Sequence, residues 1–164
     1  MDFRGTDPSG GVTSGMTPFI DTDFFVFEYG DPNAGERIID SQWTTNTIYK
    51  STVMGGQEGF FGVNFADGRI KCYPTADFKK YFTRYVRGNS YGSNDFIDNG
   101  DGTIADQSTG LIWQKNDNGE GILWEDALEY SENLELAEYS DWRLPNAKEL
   151  QSIIDYTRCP DATG

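Results

Sequence analysis

The chain changes its hydrophobic rhythm partway along. Residues 18–88 read as β-rich. The runs FFVFEYG (24–30) and GFFGVNFADGRIKCY (59–73) combine aromatic and β-branched residues with Gly and Asp turns. YFTRYVRG (81–88) alternates as a half-buried strand does. GNSYGSND (88–95) has the composition of a linker. Beyond it, Phe96 and Ile97 precede a Gly-rich turn, Thr103 and Ile104 follow it, and Leu111-Ile112-Trp113 start a further strand after Ser108-Thr109-Gly110. Then the period lengthens. Within 124–139, Trp124, Ala127, Leu128, Ser131 and Leu134 recur at helical spacing. A second helix is announced by Pro145, by Asn146 as N-cap and by Glu149 three residues later, a capping box. Leu150, Ile153 and Ile154 form its expected buried stripe. The pattern predicts an α+β fold with two helices packed on antiparallel strands. Residues 1–88 form its β-rich part, 89–95 the linker and 96–164 the hairpin with both helices, together one compact domain.

Composition sharpens this. A chain of 164 residues suits one domain with a sizeable core, and 15% aromatic residues must do much of the packing. No apolar run approaches the roughly 18 to 20 residues that cross a membrane, which argues against membrane insertion. The start, MDFRGTDPSGG, lacks the segments of a signal peptide, so a signal for export would lie outside this chain.

The net charge of −14 divides into −2 over residues 1–88 and −12 over 89–164. Such acidity disfavours nucleic acid. The local exception is residues 69–87, with Arg69, Lys71, Lys79, Lys80, Arg84 and Arg87 against Asp77 alone. This run is either a solvated strand face or a patch for polyanions, with Arg69, Lys71, Lys79 and Lys80 as candidate ligand-binding residues.

The absence of histidine removes Ser-His-Asp and Cys-His catalysis and every imidazole metal site, which argues against zinc. Cys72 and Cys159 fit no metal or redox spacing. They form one disulfide in an oxidising compartment, or Cys159 pairs beyond the chain end.

The stretch 96–115, FIDNGDGTIADQSTGLIWQK, raises calcium. An EF-hand starting at Asp98 would need oxygen donors where Gly100 and Gly102 stand, so that template fails. Two readings stay open. Asp98, Asn99, Asp101 and Asp106 hold a calcium ion in another geometry, or Asn99-Gly100 and Asp101-Gly102 supply the positive φ angles of a hairpin. The hairpin is preferred.

Asp141-Trp142-Arg143-Leu144-Pro145 reads as a loop fixed against the core, with Arg143 paired to a carboxylate or a carbonyl. Asp21 and Asp23 would suit glycoside hydrolysis, but alternate residues in a short segment are usually turn positions. Trp43 and Tyr49 are core candidates before they are sugar-stacking ones. The expectation is a protein without catalytic activity.

DNGDGTIADQSTGLIWQK, WEDALEY and YSDWRLPNAKELQSIIDY closely resemble the first half of the Lcl C-terminal domain family, named for a bacterial collagen-like adhesin. SQWTTNTIY, FGVNFADGRIK and YFTRYVRG resemble that family's second half. Here the second half comes first. Tandem copies occur in the family, and the two chain ends run alike, from Met1-Asp2-Phe3 to Gly10 and from Ile154-Asp155-Tyr156 to Gly164. The chain therefore looks like the end of one repeat joined to the start of the next.

The resemblance implies a C-type lectin-like fold with neighbouring first and last strands. The halves would then assemble as a circular permutant, or be exchanged between chains as a swapped oligomer. It also implies an extracellular adhesion module for glycan or polyanionic polysaccharide. The alternative is a structural repeat contacting only its neighbours. The Glu-Pro-Asn, Gln-Pro-Asp and Trp-Asn-Asp signatures of calcium-dependent lectins are absent. Formylglycine-generating enzymes resemble the same fold class, but nothing around Cys72 or Cys159 resembles their active-site cysteines.

Overall fold

The structure is a computed structural model that describes residues 15–76 and 79–160. Of the matching chain ends, Met1 to Gly10 and the last four residues of the Ile154 to Gly164 stretch lie outside the described residues, as does Asp77. The chain divides into two compact units, one of Met1–Arg87 with Tyr156–Gly164, the other of Gly88–Asp155. Two antiparallel sheets and two short helices place it in the α+β class.

In the first unit, β1 (Gln42–Val53), β2 (Gln57–Asn64) and β3 (Arg69–Pro74) form an antiparallel meander in the order β1-β2-β3. Strand β1 slips register between Thr44 and Ile48 and again between Ile48 and Thr52. The turn after β2 is held by a buried amide. Asn64 accepts from the Ala66 N–H, and its own Nδ2 donates to the Ile39 carbonyl at 2.8 Å. Ile38, Phe60 and Ala66 are the buried apolar residues, and rings extend this small core. Phe60 meets Tyr81 edge-on at 5.1 Å, Phe61 meets Tyr156 at 4.7 Å, and Trp43 stacks on Phe82 at 5.4 Å. Gly62 permits this closeness, because a Cβ there would stand 3.1 Å from both the Trp43 carbonyl and the Tyr73 ring.

Two expected strands are absent from this sheet. Residues 24–30 form no ladder. The Phe25 N–H bonds back to the Asp21 carbonyl, Asp21 Oδ1 accepts from the Asp23 N–H, and Phe24 and Val26 are left about four-fifths exposed. Asp21 and Asp23 are thus turn residues. Residues 81–88 touch β1 through one parallel bridge, Trp43 with Phe82. Past it, the Arg84 side chain crosses the Phe25 and Trp43 rings at 4.8 and 4.6 Å and donates to the Val26 carbonyl at 2.8 Å. Tyr85 and Val86 are almost wholly exposed. Trp43 and Tyr49 are half-buried packing residues, Tyr49 edge-on to Phe61 at 5.6 Å. Cys72 and Cys159 are free thiols.

In the second unit, β4 (Phe96–Asp98), β5 (Thr103–Asp106) and β6 (Leu111–Gln114) make a second meander. Helix α1 spans Trp124–Glu132 and α2 Ala147–Ser152. The capping box predicted at Asn146 and Glu149 is present, with Asn146 Oδ1 accepting from the Lys148 and Glu149 N–H groups and Glu149 Oε2 from the Asn146 N–H.

Helix α1 is shorter than its periodicity suggested. Ser131 Oγ and Asn133 Nδ2 donate back to the Leu128 and Glu129 carbonyls, an alternative to continuing the helix. The last turn carries no basic residue to offset the helix dipole. The chain instead turns through Ala137 and Glu138, both at positive φ, and Leu136 bridges Tyr139.

The apolar stripes also differ from expectation. Trp124 is 71% exposed, and Leu150, Ile153 and Ile154 are exposed rather than buried. Leu150 and Ile153 border a cleft bounded by β6, α1 and α2, whereas Trp124 and Ile154 are exposed outside it.

Candidate functional site

The Asp98 to Asp106 segment is a hairpin that satisfies itself. Asp98 Oδ1 accepts from the Gly100 N–H, and Oδ2 takes the Lys115 ammonium at 2.6 Å. Lys115 thereby holds the Asp98 carboxyl below its usual range. Asp101 Oδ1 accepts from both the Thr103 N–H and hydroxyl, and Asn99 Nδ2 donates to that hydroxyl at 2.8 Å. Buried Asp106 accepts from the Ser108 N–H and the Thr109 hydroxyl. Gly100 and Gly102 sit at φ of 78° and 91°, the left-handed region the hairpin reading required. The four candidate calcium residues are thus used as separate turn-holding groups. Among the described residues no group of three or more Asp, Glu, Cys or His side chains is placed to hold a metal ion.

The basic candidates are likewise engaged. Lys71 and Arg69 both pair with Asp67, whose side chain is almost fully buried, at 3.3 and 3.7 Å. Lys79 pairs with Asp40 at 3.2 Å, and the same carboxylate takes Arg37 at 2.7 Å. These cations hold the Asp40 carboxyl well below the usual carboxylate range, Arg37 contributing most. Lys80 stands exposed. Three of the four, Arg69, Lys71 and Lys79, thus have carboxylate partners.

The feature best shaped to receive a ligand lies elsewhere. A cleft of about 770 Å³ in the second unit falls within the usual size range of ligand sites. Trp113 of β6, Tyr130 of α1, Tyr139 and Trp142 of the connecting loop, Leu150 of α2 and Ile153 at its C-cap line it. Its polar lining includes Gln114, Asn116, Asp117, Asn118 and Asp141. Tyr130 and Tyr139 remain 43% and 45% exposed, so their rings are available to a guest.

The loop holding this wall is the one singled out by sequence. Arg143 Nη1 and Nη2 meet Glu149 Oε2 and Oε1 at 2.8 and 2.7 Å, fastening residues 141–145 to α2. Trp142 Nε1 donates to the Leu136 carbonyl, and its ring meets Tyr139 edge-on at 6.2 Å. The carboxylate partner expected for Arg143 is Glu149. Sequence reasoning missed the cleft itself. Helical spacing put Leu150 and Ile153 in a core, and Tyr130 fell outside the predicted stripe.

The second unit thus sets a loop fixed by Arg143 and Glu149 beside an open cleft lined by aromatic rings. Residues 102–163 match the model of the Lcl C-terminal domain family, which bears out the resemblance read from this part of the chain. Every residue lining the cleft falls inside the match. No curated protein and no solved structure matches the chain.

Proposed function

We propose that this chain is a non-catalytic adhesion module of an exported bacterial surface protein, and that it binds glycan in the cleft of the second unit. One observation carries the reading: Trp113, Tyr130, Tyr139 and Trp142 line the same cavity as Gln114, Asn116 and Asn118. Aromatic faces stack on the apolar faces of sugar rings, while amides pair with hydroxyls and fix orientation. The match to the Lcl C-terminal domain supports a surface-protein setting. A lectin-like fold, a permuted order of halves and an extracellular location are parts of the same proposal.

The test is a glycan array, with calcium and with chelator, followed by titration calorimetry of the hits. Binding should survive chelation and fall at least about tenfold in Tyr130→Ala. Hits unaffected by changes at Tyr130 and Tyr139 would remove the cleft as the site.

The second reading is a structural repeat that assembles without a small ligand. It is favoured by the apolar groups displayed around Arg84, namely Phe24, Val26, Tyr85 and Val86. A silent array together with concentration-dependent oligomers that Val86→Asp disperses would select it.

A further inference from the structure

We infer that the cleft selects sugars bearing free amino groups over neutral or sulfated ones, an inference that rests on the glycan reading above. Its basis is the balance of charge in the lining. The two cations there are both neutralised, Lys115 by Asp98 at 2.6 Å and Arg143 by Glu149 through two hydrogen bonds. Two carboxylates are left over. Asp141 has no hydrogen-bond or ion-pair partner among the described residues, and Asp117 uses one oxygen to accept from the Gly119 N–H.

The negative charge continues beyond the cleft. Asp126, Glu129 and Glu135 line a smaller adjoining cavity that shares Tyr130 and Leu134 with the main one. A sulfated or carboxylated chain entering here would meet uncompensated anions. An N-acetylated chain would gain the stacking but no charge contact. An ammonium group gains twice, from the carboxylates and from the electron-rich faces of the Tyr and Trp rings. The same floor that holds the pyranose ring thus favours its cationic form.

The experiment titrates the full chain with a fully deacetylated glucosamine hexamer, its fully N-acetylated counterpart, a sulfated oligosaccharide of similar length and a lysine hexamer. Titrations run at low salt and a pH where the sugar amines are charged. The deacetylated hexamer should bind at least about tenfold more tightly than the acetylated one, and the sulfated chain should not bind. The preference should collapse at about 1 M salt, where the screening length is only about 3 Å. It should also collapse in Asp141→Asn with Asp117→Asn, the ratio of the two hexamers' affinities falling toward one. Equal binding of both hexamers would overturn the inference and leave the glycan reading standing. A lysine hexamer binding as tightly as the amino sugar would overturn it too, since the ring floor would then contribute nothing. Failure of every sugar would remove the glycan reading itself.

Discussion

Arg143 and Glu149 face each other fork to fork, six residues apart, and the same Glu149 carboxylate accepts the Asn146 N–H that opens helix α2. One side chain therefore closes the helix and anchors the loop that carries Trp142. The Arg143 hydrogen bonds, with the Asn146 N–H second, pull the Glu149 carboxyl from 4.5 down to about 2.

A depressed carboxyl stabilises the folded form when ionised. Its contribution is fully present above about pH 4.5 and is lost as pH falls toward about 2. A carbon-detected NMR titration of Glu149 should place its midpoint well below that of an exposed glutamate. Glu149→Gln should flatten that part of the acid limb in a pH series of melting curves. An ordinary midpoint would show the fork to be open in solution.

Thr103 is fully buried and hydrogen-bonded at both ends of its hydroxyl, to Asp101 and from Asn99. Thr103→Val keeps the shape and removes both hydroxyl hydrogen bonds, so it should cost about 0.5–1.5 kcal/mol per bond in urea unfolding. Chelator should leave the wild-type melting temperature unchanged, because the hairpin carboxylates already have donors. A chelator-induced drop would restore the calcium reading for Asp98, Asn99, Asp101 and Asp106.

Gly30 lies where a Cβ would come within 2.0 Å of the Arg37 carbonyl oxygen, a backbone atom with nowhere to yield. Gly30→Ala should destabilise the first unit by about 1–3 kcal/mol or more. Gly121→Ala, with nothing near its Cβ and no positive φ, is the matched control and should be close to neutral. Equal melting temperatures for the two would mean that residues 30–37 are not packed as described.

Arg84 lies over two rings and donates to the Val26 carbonyl. Arg84→Lys retains the charge but not the flat stacking surface or the fork. A loss of about 1 kcal/mol is expected, with faster proteolysis near Val26. Wild-type stability for the lysine variant would mean that charge alone suffices.

These outcomes also mark where sequence reasoning succeeds. The hairpin at Asn99-Gly100 and the capping box at Asn146 and Glu149 were legible because each is specified within about four residues by its own hydrogen-bonding groups. The fork between Arg143 and Glu149 was half legible, the need for a partner being clear and its identity not. Burial was less visible. Leu150 and Ile153 carry the spacing of a core stripe, yet spacing shows only that a face is apolar, and here it borders an open cleft. Residues 24–30 show the same limit, since a strand needs a neighbour to pair with and composition cannot supply one. The early stop of α1 was written in Ser131 and Asn133, whose side chains compete for helix carbonyls, but their signal was outweighed by the surrounding Leu and Ala.

The four tryptophans are distributed over three different surroundings. Trp43 lies beneath a guanidinium, Trp113 and Trp142 line the cleft, and Trp124 stands 71% exposed. The protein therefore carries its own optical reporters. Replacing Trp124 by Phe would remove the emission most dominated by water, leaving a spectrum in which a shift on adding sugar comes from the cleft. Occupancy could then be followed in one cuvette and without a label.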